Sequence, residues 1–316
     1  MERMRGSTAE SRKTVLIALA ANAGVALVKL AGGLLSGSTA MLAEAAHSVA
    51  DTTNQAFLLV SIRLGGREPN PDQPFGYGQM RFLWTFMAAV GMFLAGAVFA
   101  IGYGVYALMK GEEAGGFAVA YITLAIAFVA EGSSLLRAVR QVRREAGEAD
   151  MPLLRYVRGS RDPNVKMVLF EDTTALVGIF IAFAGIVTDQ VTGSSIFDPA
   201  ASIAIGVLLA FVALWMGRDV SHLLIGAAAR PEERDALERA LGEFDEIDDV
   251  VELLTMALGP NALMVAARID LADDLEPNEV EDVSDRIDER LREVVPDVTE
   301  VFLDATRAHS RMAARS

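Results

Sequence analysis

Six long apolar runs limit what this chain can become. They cover roughly Thr14–Leu35, Thr39–Ile62, Phe82–Met109, Phe117–Leu136, Val165–Val187 and Pro199–Met216. Each approaches the twenty or so residues that a helix needs to cross about 30 Å of hydrocarbon. In lipid every backbone N–H and C=O must find a partner within the chain, so such runs become helices. The composition agrees: 52% of residues are hydrophobic and the mean hydropathy is +0.34, more apolar than an ordinary soluble domain. The charged opening MERMRGSTAESRK and the length of the first run lead us to expect no cleavable signal.

The connections between runs alternate in charge. Arg3, Arg5, Arg12 and Lys13 precede the first run, and Arg63, Arg67 and Arg81 flank the second connection. Arg137, Arg140, Arg143, Arg144, Arg155, Arg158, Arg161 and Lys166 crowd the fourth, whereas SGS, KGEEAGG and DQVTGSSIFD hold one lysine between them. Positively charged connections stay in the cytoplasm. We therefore expect a multi-pass protein of the inner (plasma) membrane with both termini cytoplasmic. Residues 1–13 would form the N-terminal segment and 14–225 a six-helix transmembrane domain.

After Arg230 the pattern changes. Pro231–Phe244 and Glu276–Val294 read as amphipathic helices, the second with Val280, Val283, Ile287, Leu291 and Val294 at helical spacing. Val250–Leu258 and Leu263–Leu271 read as strands joined at Gly259-Pro260-Asn261, and Val298–Asp304 as a third strand. The order αββαβ predicts a small two-layer α+β domain of ferredoxin-like type over 231–309. From Pro231 to Ser310 there are 24 acidic and 7 basic residues, about −17, against −14 for the whole chain. This balance argues against nucleic acid as a partner; it describes either a surface that attracts cations or a solvated acidic face. With no cysteine in the chain, disulfides and thiolate metal sites are excluded. Any metal must be held by His, Asp, Glu, Asn or carbonyl oxygen.

Ionisable residues inside the runs carry the chemistry, because a charge at membrane depth is costly and marks a site by default. His47 and Asp51 are four residues apart and share one helix face. They read first as half of a metal site, with a simple mutual or backbone pairing as the alternative. Glu44 lies one turn earlier, either on an access path or at the mouth of the helix. Glu171 and Asp172 are adjacent, so they point about 100° apart. Only one is expected to face an ion, while the other faces water, a proton path or Lys29. Asn22 reads as an interhelical hydrogen bond ahead of a ligand, and Lys29 as a snorkelling or paired lysine. Glu131 fits a pairing with a basic residue as well as a transport role. Asp198, just before Pro199, reads as a helix cap, and His222 and His309 as surface or packing residues.

In this order the residues resemble the cation diffusion facilitator family over nearly the whole chain. The likeness rests on AEAAHSVAD in the second run, PFGYGQMRF before the third, LFEDTTALVG in the fifth and the αββα-type domain that follows. The resemblance implies a six-helix dimer that exports divalent metals, commonly zinc, in exchange for protons. Carried over, His47 and Asp51 match the family's helix-two ligands and Asp172 matches the last acid of its helix-five pair. The helix-five histidine position is Val168, which cannot bind metal, so Glu171 becomes the candidate fourth ligand. LFEDTTALVG resembles a branch that includes bacterial members and mitochondrial zinc carriers. The family's cytoplasmic His-rich cluster has no counterpart here.

The expectation is a homodimeric, lipid-embedded exporter with a divalent metal ion as substrate and protons as counter-ion. Zinc is the first choice; Mn(II), Fe(II) and Co(II) are alternatives that the same donor types suit. A non-transporting metal sensor is the rival. An intramembrane metal-dependent hydrolase would need an activated water and a separate general base, and the HExxH signature is absent.

Overall fold

A computed structural model describes residues 2–111, 115–148, 150–159 and 163–306, with the side chains of 2–18, 92–94 and 158–168 set aside. His309, Arg161 and the Glu112-Glu113 pair lie outside the described residues, as do the side chains of Arg3, Arg5, Arg12, Lys13, Arg158, Lys166 and Val168.

The chain forms two units. The first runs up to Leu64 and resumes over Arg81–Ser221; the second combines Gly65–Met80 with the chain from His222 onward. The first unit is helical: α1 (Glu2–Ser36), α2 (Thr39–Gly65), α3 (Met80–Met92), α4 (Val98–Lys110), α5 (Phe117–Glu148), a short α6 (Leu153–Gly159), α7 (Pro163–Thr192) and α8 (Phe197–Leu224). A π-helical turn over Phe93–Ala97 joins α3 to α4, so the two make one continuous span.

Among the described residues five helices are long and apolar enough to cross a membrane: Leu19–Ser36, Met80–Lys110, Phe117–Glu148, Leu169–Thr192 and Phe197–Leu224. At 27 residues α2 has the length but not the hydropathy, because Glu44, His47, Ser48, Asp51 and Asn54 are buried along it. The core around α2 is built from small side chains: Ala40 and Ala43 on α2, Ala120 and Ala127 on α5, Ala182 on α7 and Ala201 on α8. Small residues let helix backbones approach closely. Leu27, Leu34, Ile122, Val129, Phe180, Phe211 and Leu214 remain exposed, an apolar coat suited to lipid.

In the second unit α9 (Pro231–Leu241), β1 (Ile247–Gly259), β2 (Ala262–Leu271), α10 (Pro277–Val294) and β3 (Val298–Ala305) follow the expected αββαβ order. The sheet order is β1-β2-β3, with β1 and β2 antiparallel and β2 and β3 parallel. Leu237, Leu241, Val265, Ile269, Val283, Ile287 and Leu291 form its core. Both helices begin with proline in the first turn and a side-chain cap, from Glu233 on α9 and Glu279 on α10. On the opposite sheet face Arg268 bridges Glu252 (3.0 Å) and Asp304 (2.7 Å). Phe75, in the segment between α2 and α3, packs edge-on against Phe302 of β3.

Candidate metal centre

The start of α2 is fixed from another helix. Ser38 Oγ accepts the Met41 N–H at 3.2 Å. Asp198, at the start of α8, accepts the Ser38 hydroxyl at 2.6 Å, the Thr39 N–H at 2.5 Å and the Ala40 N–H at 3.3 Å. The first backbone donors of a helix have no partner within it; here three of them are satisfied and a carboxylate sits at the positive end of the dipole. Asp198 therefore caps α2 rather than its own helix. Asp189 takes that role on α8, accepting the N–H groups of Phe197 (2.8 Å) and Asp198 (3.1 Å).

One to four turns along α2 come the buried polar residues. His47 is 1% exposed and Asp51 5%, with His47 Nδ1 3.4 Å from Asp51 Oδ1. That approach is not a hydrogen bond: both imidazole nitrogens and Asp51 Oδ1 lack one among the described residues. From α7, Glu171 faces Asp51 closely enough for one carboxyl to hydrogen-bond the other. Asn54 Nδ2 reaches Glu171 Oε1 at 3.4 Å. Asp172 turns toward α5, where its carboxyl meets the Ser134 hydroxyl and feels the charge of Arg137. The structure thus brings Asp51 beside His47 on one hand and Glu171 on the other, and leaves Asp172 on another side of α7. Among the described residues no three His, Asp or Glu side chains are arranged around one point as ligands of a single ion.

Sequence reasoning passed over two neighbours. Asn54 is buried with its Oδ1 unpartnered, and Ser48 Oγ is buried without a partner. Both lie on the polar face of α2, at i+3 from Asp51 and i+1 from His47, so their place on that helix was the available signal. Lys29 is paired, with Glu44 Oε2 at 3.0 Å and Glu131 Oε1 at 3.2 Å. Gly178 on α7 permits this, since a Cβ there would overlap Glu44 Oε1. Asn22 is half-buried on α1 and His222 is exposed on α8.

His47 Nδ1 and Nε2, Asp51 Oδ1, Asn54 Oδ1, Ser48 Oγ and Asp172 Oδ2 are all buried without a hydrogen bond. A buried orphan of this kind costs about 1–3 kcal/mol, and each calls for an explanation such as an ion. The donors are imidazole nitrogen and carboxylate or amide oxygen, the set that suits Zn, Co, Fe or Mn.

Residues 15–225 match the family of the cation efflux transmembrane domain. The chain belongs to the cation diffusion facilitator, or cation efflux, family. Its members are transporters, not enzymes. The chain is 31% identical over 258 residues to the human proton-coupled zinc antiporter SLC30A9, mitochondrial, covering 82% of this chain and 45% of that one. It is 32% identical over 270 residues to metal tolerance protein C4 of Arabidopsis thaliana, covering 85% and 59%. To the manganese efflux system protein MneP of Bacillus subtilis it is 23% identical over 297 residues, covering 93% and 95%. The chain spans about half the length of the zinc and plant relatives it matches.

Proposed function

We propose that this family member is a six-span homodimeric exporter that exchanges a divalent metal cation, zinc first, for protons. In this reading α2 is the sixth span, its polar face turned inward, and both termini lie on the cytoplasmic side of the plasma membrane. His47, Asp51 and Glu171 hold the ion. Asp172, which the family resemblance matches to a ligand, serves as a carboxylate beside it. The observation that carries the reading is the group of buried, unpartnered nitrogen and oxygen atoms of His47, Ser48, Asp51 and Asn54 on the polar face of α2, with Glu171 of α7 buried against Asn54. Small side-chain rotations of Asp51 and Glu171 would turn their mutual contact into coordination of a shared cation.

Proton coupling follows from the ligands. Metal binds neutral imidazole and ionised carboxylate, so metal loading and protonation exclude each other. A proton on the same groups can then accompany the return step. The relatives' names support divalent metal efflux, with zinc in one and manganese in another. The oxygen-rich donor set favours manganese as the second choice.

The test is flux in proteoliposomes that contain a zinc- or manganese-sensitive dye. The expected result is metal uptake driven by an imposed pH gradient and lost in Asp51→Ala. Binding without flux would make the protein a sensor; parental flux in Asp51→Ala would overturn the site.

A further inference from the structure

Lys29 is wholly buried on α1, its ammonium 3.0 Å from Glu44 on α2 and 3.2 Å from Glu131 on α5. With all three groups ionised the cluster keeps one net negative charge, and Glu44 Oε1 has no hydrogen-bond partner among the described residues. As a device for holding three helices together this is poor economy. Desolvating charges costs about as much as their pairing returns, and apolar side chains of similar volume often serve as well. A lysine inside a span is therefore a functional candidate. Its location gives it something to act on: Glu44 lies one turn before His47 on α2, and both His47 and Asp51 lie within reach of the Lys29 charge.

We propose that Lys29 is a tethered counter-cation that sets how tightly the neighbouring site holds its metal. The proposal rests on reading His47, Asp51 and Glu171 as that site. A fixed positive charge in a low-dielectric interior opposes a nearby divalent ion. Without it, Asp51, Glu171, Glu44 and Glu131 would add their negative potentials around the ion and slow its release. A transporter needs a site that is attractive enough to fill and weak enough to empty. Glu44 and Glu131 hold the ammonium in place and moderate its field, which makes Lys29 a positioning and tuning residue rather than a ligand.

The test uses the full chain in nanodiscs, with zinc and manganese affinities measured by calorimetry at fixed pH and folding checked by thermal melting. Lys29→Met should bind metal about tenfold tighter or more, whereas Lys29→Arg, which keeps the charge, should match the parent. Lys29→Met combined with Glu44→Gln removes one charge of each sign and should return the affinity to near the parental value. A purely structural lysine would give the opposite pattern: weaker or unchanged binding in Lys29→Met and no rescue in the double variant. Either result in folded protein overturns the proposal. Should Lys29→Met fail to fold, Lys29→Gln decides the matter, because it keeps hydrogen-bond donors for Glu44 and Glu131 while removing the charge and must tighten binding; weaker or unchanged binding overturns the proposal. The site assignment fails separately, through unchanged affinity in Asp51→Ala. Lost binding in Asp51→Ala with parental affinity in Lys29→Met overturns the role of Lys29 alone.

Discussion

Asp198→Ala should be among the most damaging single substitutions outside the site. The carboxylate is 2% exposed and accepts three hydrogen bonds from Ser38, Thr39 and Ala40. Those donors are buried too, with Ser38 and Ala40 at 0% and Thr39 at 2%, so water cannot replace the lost acceptor. Each stranded donor costs about 1–3 kcal/mol, and partial relaxation brings the expected total to about 4 kcal/mol. For a unit of this size 1 kcal/mol moves the melting temperature by about 2–4 °C, so Asp198→Ala should melt on the order of 10 °C lower. Asp198→Asn keeps one acceptor oxygen and should lose about half as much. Trp84 and Trp215 both lie in the helical unit, so intrinsic fluorescence of purified protein in detergent reports the transition. The cap orients the helix that carries His47 and Asp51, so Asp198→Ala should also transport metal more slowly where it stays folded. Melting within about 2 °C of the parent would refute the assignment of Asp198 as the cap of α2.

Three further outcomes are expected. Glu171→Gln, which removes a ligand, should weaken zinc binding by more than the about 10–100-fold that losing a group behind the ligands costs, and Asp172→Asn by that much at most, measured by calorimetry; the reverse order would make Asp172 the ligand. Gly178→Val should drive Glu44 from its contact with Lys29 and lower the melting temperature, whereas Gly24→Ala, with open space around it, should not. In the second unit, hydrogen bonds from Arg290 (2.8 Å to Glu243) and from Arg286 hold the carboxyls of Glu243 and Glu246 below their ordinary value of 4.5. Depressed carboxylates stabilise the folded state above the unfolded pKa, and that contribution is lost as pH falls through the folded one. The second unit should hold its stability down to about pH 5 and lose it below about 4.5, and Arg286→Ala/Arg290→Ala should flatten that decline. A dye on a single engineered cysteine in α10 can follow this, since the chain has no other cysteine.

Much of the fold was legible because its periodic signals are local. The second unit differs from expectation by a few residues at its ends: β1 begins at Ile247 rather than Val250, and α9 stops at Leu241 rather than Phe244. The helix ends of the first unit were harder to read. Hydropathy ends the fourth run at Leu136, yet α5 continues to Glu148. The residues beyond the apolar stretch, AVRQVRREAGE, are mostly good helix formers, so the helix outlasts its hydrophobic segment. The short α6 left no periodic trace. Residues 65–80 were legible as a connection carrying PFGYGQMRF, but not as part of the second unit, which the segment joins with Phe75 packed on Phe302. That is a long-range contact, which no local pattern encodes.

The site was legible as a set of residue types but not as a set of pairings. A buried charge in an apolar run stands out in any sequence, which is why His47, Asp51, Glu171, Asp172, Lys29, Glu44 and Glu131 could all be picked out. Which of two adjacent carboxylates faces α2 depends on the rotation of α7 about its own axis. That rotation is fixed by close approaches such as Gly178 against Glu44 and Gly185 against Ala201. The same approaches explain why the lysine's partners were hidden: they lie 15 and 102 residues away on two different helices. One small residue thus couples two features that look independent along the chain. By admitting Glu44, Gly178 fixes both the direction in which α7 presents Glu171 and the place where Lys29 is held. A larger side chain at 178 should therefore disturb metal affinity and the buried ion cluster together, although residue 178 has neither a charge nor a ligand atom of its own.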